Sequence, residues 1–409
     1  SRLIKENDIF IGLRSNNRDG NSFALDAIKK GAIFAIVDNN KLAHENIIYT
    51  KSVQSFIKKF TKFLLGVYKG KIIAISGSVG KTTTKENIFH ILNNNQFKTY
   101  RSFKNFNNIL GLQFSIMNMD INSKFAVFEL GINAPKEMDN LIKTLQPHYC
   151  LLTAIEDSHI GNFKNFSNLF ANKIKIFHSK RLIKGLINIR NDNFQLPKKI
   201  TNKVKKINLE NLNIKTRKQG IFVISFKNNN SYQKIYSDKD GVFSETAVLS
   251  FLFLKLFIRK FSNKKFFYKE AILDSRGKII NKLYKDKIIK VYDHSYNASP
   301  YSLKKQIIYF DKLKVTKKLC IIGSIKELGN HTEKYHRALL EDIKDLKVKR
   351  IILIGEEFFK LRSSYKTFNF YKSYKSYINL MKKDLEYGKN IFVMGSRLNN
   401  LDKVIQNIC

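Results

Sequence analysis

The feature that most constrains this chain is the stretch "KIIAISGSVGKTTTKE", Lys71 to Glu86. An apolar run of strand length passes through two glycines into a segment of helical composition. A strand that feeds a glycine turn and then a helix is half of a βαβ unit. It commits the surrounding chain to a parallel sheet with crossover helices. It also makes a place for an anion. Glycines let successive backbone N–H groups turn toward one point, and the helix N-terminus adds the positive end of its dipole. The strict phosphate-loop pattern wants its first glycine where Ile75 stands, so the loop is Gly77-Ser78-Val79-Gly80-Lys81-Thr82. Lys81 can reach the outer phosphates of a nucleotide. The Thr82 hydroxyl can hold a Mg²⁺ bridging phosphate oxygens, and Thr83 completes the expected cradle. The plain alternative is a glycine turn with an incidental Gly-Lys-Thr. The placement between strand and helix weighs against it.

The same grammar continues downstream. "KFAVFELG", "PKEMDNLIKTL", "YCLLTAI", "NLFANKIKIFHS" and "KGLINI" alternate strand-like and helix-like runs. It resumes with "IIKVYDH", "KLCIIGSI", "RIILIGE" and "NIFVMGS". Between Asn202 and Tyr236 the pattern becomes alternating, which predicts an antiparallel hairpin. The expected class is α/β with three domains. Residues 1–69 form a small α/β substrate domain, 70–274 a central P-loop ATPase-like parallel sheet, and 275–409 a C-terminal Rossmann-like domain.

Charge and cysteine content narrow the setting. The chain carries 74 Lys and Arg against 33 Asp and Glu, a net charge of +41. That attracts nucleic acid or an anionic membrane in general terms. The lysines are scattered among asparagines, with no zinc-finger or aromatic RNA-binding pattern, so no specific nucleic-acid partner is expected. Cys150 and Cys320 lie in apolar runs and Cys409 at the end, which suits buried thiols in a reducing, cytoplasmic compartment. No signal peptide is visible, and the longest apolar stretch, Ala247 to Ile258, is too short to span a bilayer. The first residue is Ser1, so earlier residues are expected to be missing.

"SGSVGKTTTKE" is similar to the ATP loop of the Mur ligases, which build the peptide of cell-wall precursors. "RSFKNFNNILGL", "FAVFELGINAPKEMDNLIKTLQP", "LLTAIEDSHIGNF" and "ANKIKIF" follow in that family's order. "DHSYNASP", "KELGNHTEKYH" and "MGSR" resemble the third domain of the branch that adds D-alanyl-D-alanine to UDP-N-acetylmuramoyl-tripeptide. The N-terminal segment, entered at Ser1-Arg2, looks like the UDP-substrate domain. The resemblance covers nearly the whole chain and is weakest between Lys198 and Lys269.

The resemblance implies ATP-dependent ligation through an acyl phosphate, with ATP and Mg²⁺ as cofactors and a monomeric protein. Lys81 would grip the β- and γ-phosphates. Thr82, Glu129, His159 and a carbamylated Lys173 would hold metal. Arg276, Asp293, Tyr296 and Asn297 would contact nucleotide. Ser1, Arg2, Asn107, Asn108, Ser396 and Arg397 would contact the peptide substrates, with Glu327 and His336 supporting the dipeptide's loops. The chain departs from the family pattern at His294 (an acid elsewhere), Met394 (lysine), Lys175 (glutamate), Arg190 (aspartate) and Ala247 (often asparagine). These departures leave two other readings open. One is an amide ligase with a different amine, from another Mur branch or of folylpolyglutamate type. The other is a non-catalytic nucleotide-binding relative.

Overall fold

The computed structural model describes residues 4–15, 18–157, 160–189, 195–212, 214–219, 221–228, 231–237, 243–258 and 275–408. The N-terminal lobe is a parallel sheet in the order Ile9–Ile11 (β1), Phe34–Val37 (β2), Ile47–Tyr49 (β3). A helix, Val53–Val67 (α1), leads out of it, capped by the Ser52 side chain accepting from the Ser55 N–H.

The central lobe starts with Lys71–Ser76 (β4), followed by the helix Lys81–Asn94 (α2). Next come Thr99–Arg101 (β5), Ile109–Met117 (α3), Phe125–Glu129 (β6), Tyr149–Leu152 (β7), Phe166–Lys173 (α4), Lys184–Asn188 (β8) and Val204–Ile207 (β9). The six strands are ordered β9-β8-β7-β4-β6-β5, all parallel. Ile72, Ile73, Ala74 and Ile75 are fully buried, as a strand covered on both faces requires. One face packs α3 and α4. The other packs α2 and the helix Phe243–Leu254 (α5), which follows a three-stranded antiparallel sheet of Lys215–Gln219 (β10), Ile221–Asn228 (β11) and Ser231–Ser237 (β12).

The expected hairpin at 202–236 is therefore two things. Val204–Ile207 is not antiparallel. It extends the parallel sheet, with Gly185 facing Val204, and the antiparallel sheet begins only at Lys215. Alternating burial is compatible with an edge strand of either sense, so the pattern alone does not choose.

The third lobe is a six-stranded sheet of Lys278–Tyr284 (β13), Lys287–His294 (β14), Lys318–Gly323 (β15), Arg350–Ile354 (β16), Asn369–Tyr371 (β17) and Asn390–Met394 (β18), ordered β13-β14-β18-β15-β16-β17. Only β13 runs antiparallel. The helices Pro300–Lys312 (α6) and Thr332–Ile343 (α7) cover it. The α6 start is fixed by a Ser299–Ser302 capping box with Pro300 in the first turn. The expected α/β class and three-lobed arrangement are what the chain adopts.

Candidate functional site

The carboxyl ends of β4 and β6 and the start of α2 meet the carboxyl ends of β14 and β18 across a cleft of about 330 Å³. Ligand sites in parallel α/β sheets lie at such carboxyl ends.

One wall is the glycine loop, pinned by the chain after β7. Gly77 has φ +144°, and a Cβ there would lie 2.1 Å from Thr153 Oγ1. Thr153 Oγ1 instead donates to Val79 O at 2.5 Å. The Ser78 N–H donates to Ala154 O at 2.7 Å. Ser78 Oγ donates to Glu156 O at 2.9 Å and accepts from the Glu156 N–H at 2.9 Å. Gly80 turns into α2 at φ +81°. The Lys81 ammonium folds over this turn, donating to Gly77 O at 2.8 Å and Ser78 O at 3.2 Å. Burial lowers its pKa; Glu129 acts against that and Arg276 with it. A half-buried ammonium held over the loop by two carbonyls is poised to exchange them for phosphate oxygens.

Thr82 and Glu129 are both buried, and Thr82 Oγ1 donates to Glu129 Oε2 at 2.7 Å. Asn107 Nδ2 donates to Glu129 Oε1 at 2.9 Å. A hydroxyl and a carboxylate are hard oxygen donors beside the phosphate loop. They would suit a hard divalent cation such as Mg²⁺, which would offset phosphate charge there. Lys173, at the end of α4, is buried. Loss of water and then the charge of Lys81 push its pKa well below the usual lysine value. His159, Ser1, Arg2 and Arg190 lie outside the described residues.

A lysine that sequence reasoning left unassigned supports this wall. Lys85 is fully buried on α2, donating to Ser102 O at 2.8 Å and Lys104 O at 2.5 Å and pairing with Glu86 at 3.4 Å. It ties down the segment that delivers Asn107. The only signal was its spacing, one helical turn after Lys81. Asn108 is exposed, and its carboxamide oxygen caps α3 by accepting from Gly111 N at 2.8 Å.

The other wall comes from the third lobe. The Arg276 guanidinium lies 3.9 Å from the centroid of the Tyr296 ring, and that of Arg397 lies 5.4 Å from it. Arg276, Tyr296 and Asn297 line the cleft; Asp293 does not. Asp293 is buried, and its Oδ1 accepts from Ser295 N at 2.9 Å and Ser295 Oγ at 2.7 Å, shaping the turn before Tyr296. His294 and Met394 are register partners on β14 and β18, and both line the cleft. Burial pushes the His294 pKa down to about 4, so this floor is neutral. Thr246, Ser275 and Gln306 also line the cleft without any sequence signal that marks them.

The two walls are also latched by residues outside the cleft lining. A Cβ on Gly161 would lie 2.5 Å from Gly329 N, and the Gly161 N–H donates to Glu327 O at 3.1 Å. Ile160 packs into the third lobe's core. Lys305 pairs with Glu245, and Tyr335 bonds Asp157, which together with burial raises the phenol's pKa. The loop carrying Glu327 is held from behind. His336 Nε2 accepts from Ile325 N at 3.1 Å, and Ser396 Oγ accepts from Lys326 N at 2.9 Å. Thus His336 and Ser396 support this loop, while Arg397 is exposed beside Tyr296.

A model of the Mur ligase middle domain matches residues 75–249. The chain is 30% identical over 427 residues to the UDP-N-acetylmuramoyl-tripeptide–D-alanyl-D-alanine ligase of Rickettsia prowazekii (strain Madrid E), an alignment spanning 99% of this chain and 93% of that relative. Its fold is similar to a crystal structure of MurF from Acinetobacter baumannii, with a TM-score of 0.81 at 20% identity, covering 100% of this chain and 91% of that one. It is also similar to the MurF ligase of Thermotoga maritima in complex with ADP, with a TM-score of 0.78 at 20% identity, covering 100% and 95%.

Proposed function

The chain belongs to the Mur ligase family, in its branch of UDP-N-acetylmuramoyl-tripeptide–D-alanyl-D-alanine ligases, and we propose that it uses ATP to join D-alanyl-D-alanine to the tripeptide carboxylate. One observation carries this reading. Lys81, Thr82 and Glu129 converge on a single cleft whose opposite wall is Arg276 and Tyr296.

A carboxylate and an amine do not condense at neutral pH without activation. The tripeptide carboxylate attacks the γ-phosphorus of ATP, ADP leaves, and an acyl phosphate forms. The amine of D-alanyl-D-alanine then adds to the acyl carbon, loses a proton, and expels inorganic phosphate. Such chemistry is mostly positioning and charge neutralisation. The Lys81 ammonium moves from the carbonyls of Gly77 and Ser78 to the β- and γ-phosphates. The N–H groups that open α2 face the same phosphates. Thr82 and Glu129 hold Mg²⁺, which when bound neutralises charge on the phosphate oxygens. Asn107 keeps the carboxylate of Glu129 aimed. Arg276 approaches the phosphates from the third lobe, and the Tyr296 ring buttresses it. Arg397, alongside, is placed to meet a carboxylate by a forked contact.

The neutral amine of Lys173 is the form that adds carbon dioxide: an N–C bond forms, a proton leaves, and a carbamate results. Burial beside Lys81 favours that neutral form, and the carbamate's negative charge would answer the Lys81 ammonium. His159 is expected to help hold a second Mg²⁺ near the acyl phosphate. His294 and Met394 lie on the cleft's floor beside the loop, so these departures bear on the nucleotide wall.

The test is phosphate release from ATP by the purified chain, leaving out one component at a time. Release that needs both the UDP-tripeptide and D-alanyl-D-alanine supports the proposal. Binding of all substrates with no release sinks it. Release with another amine in place of the dipeptide points to the related-ligase reading.

A further inference from the structure

The helix α1 exposes more apolar surface than its own lobe covers. Val53, Ile57 and Thr61 are buried, and Leu64 packs on the central core. A second seam, Phe56, Phe60, Phe63 and Val67, runs beside it at helical spacing. At 3.6 residues per turn the two seams form one apolar arc of roughly 160°. The first seam faces protein and the second faces solvent. Phe63 is 61% exposed, Val67 39% and Phe60 36%. The three rings stack in a row, with centroids 5.6 Å and 6.3 Å apart. With Thr50, Lys51, Ser52, Ser55 and Lys59 they line a groove of about 570 Å³.

Charge says what covers it. Between Glu45 and Glu86 the sequence contains no acidic residue. Lys51, Lys58, Lys59 and Lys62 are all exposed on or just before α1. An aromatic row edged by lysines on one helix is the pattern of a segment that lies in a membrane interface. There the rings enter the headgroup boundary, and the lysine stems reach back to anionic headgroups.

We propose that this face of α1 docks the protein on an anionic lipid surface, with Phe60 and Phe63 as the inserting groups and Lys51 and Lys59, which line the same groove, as headgroup contacts. The interaction is peripheral. Among the described residues no helix is long and apolar enough to cross a membrane. Docking would hold the enzyme at a surface while leaving the cleft, formed by the second and third lobes, free to turn over.

The experiment is co-sedimentation of the full chain with vesicles of phosphatidylglycerol and phosphatidylethanolamine, against phosphatidylcholine vesicles, over a salt series. The background is the chain's +41 charge, so a control is needed. Lys382 and Lys383, exposed on the third lobe, supply it. Removing one interfacial lysine costs about fivefold in partitioning. The K51E/K59E variant should therefore lose at least about 25-fold, and K382E/K383E only a few-fold. F60S/F63S should lose about tenfold or more, including the part of binding that survives high salt. Thermal unfolding and phosphate release of each variant, unchanged from the parent, show that the fold is intact. Equal losses for both lysine pairs, or parent-like binding by F60S/F63S, overturn the proposal. A concentration-dependent dimer abolished by F60S/F63S overturns it in favour of a second copy on the same face.

Discussion

The two walls of the cleft are built in different ways. The phosphate-loop wall is contiguous. Residues Gly77 to Thr82 are consecutive in the chain, and hydrogen bonds from Thr153, Ala154 and Glu156 fix them. The opposite wall gathers Arg276, His294, Tyr296 and Met394 from separate segments of the third lobe. It is held to the first wall by a glycine–glycine approach, one buried isoleucine and a few polar contacts. The first wall is preorganised within one domain. The second reaches its place only when two domains meet. Charge belongs on the first, where it must be present whenever nucleotide arrives. On the proposed mechanism closure belongs to the second, where it would exclude water from a reactive acyl phosphate.

The sharpest way to break this contrast is Lys81→Ala. It removes the charge of the contiguous wall and should lower substrate-dependent phosphate release about 10³-fold. A loss below tenfold would show that the loop is not where phosphate is gripped. Glu129→Gln keeps the side chain's shape and its bond to Thr82, but weakens the cation site. It should cost about 10²-fold, with the Mg²⁺ concentration for half-maximal rate rising. A rate curve titrated with Mg²⁺, after chelation has abolished activity, measures this.

The closing wall should respond differently. Gly161→Val pushes a side chain into the backbone of Gly329 and holds the lobes apart. The expected loss in kcat is about tenfold to 10²-fold. ADP affinity by calorimetry should fall less than kcat, because the loop wall is untouched and only the contacts from the Arg276 side are moved away. Equal loss of ADP affinity would mean that the walls do not work separately.

The neutral pair on the cleft floor gives a double-mutant test. His294→Asp places a carboxylate on a largely buried floor opposite Met394 and should destabilise the protein by about 2–3 kcal/mol in urea unfolding. His294→Asp with Met394→Lys supplies a cation in register and should recover much of that loss. No recovery would show that the two positions are not coupled.

The smallest effect is a pH dependence. His294 has its folded pKa pushed down to about 4 by burial, against 6.5 in an ordinary setting. As pH falls below 6.5, the unfolded chain takes up this proton first, so stability declines toward pH 4. His148, buried beside Arg181 and also pushed down to about 4, acts in the same direction. His294→Gln should flatten the decline of the urea midpoint between pH 7 and pH 5, leaving the His148 contribution in place. An unchanged slope would remove His294 from the account.

Much of the molecule is legible from particular runs of residues. The strand before the glycine loop, and the loop's alignment with α2, follow from local pattern, because backbone hydrogen bonding and glycine conformation are local. The convergence of Lys81 and Thr82 on Glu129 was expected from the family resemblance, and the three do meet. The details that were not legible are all non-local. The parallel pairing of Val204–Ile207 depends on which edge is free. The roles of Asp293, Ser396, His336 and Asn108 as supports depend on which backbone N–H lies near, and spacing does not encode that. Lys85, left unassigned by sequence reasoning, is buried and clamps the Ser102–Lys104 segment.

By itself the sequence determined the elements and their chemistry. Apolar runs made the strands, glycines allowed the positive-φ turns, and a lysine and a threonine stood where a helix dipole meets an anion. Only the tertiary structure decided which distant side chains face each other: Glu129 against Thr82, His294 against Met394, Gly161 against Gly329. The physical reason is that backbone preferences act over a few residues, while packing and desolvation act wherever the folded chain brings groups within a few ångströms, whatever their separation along it.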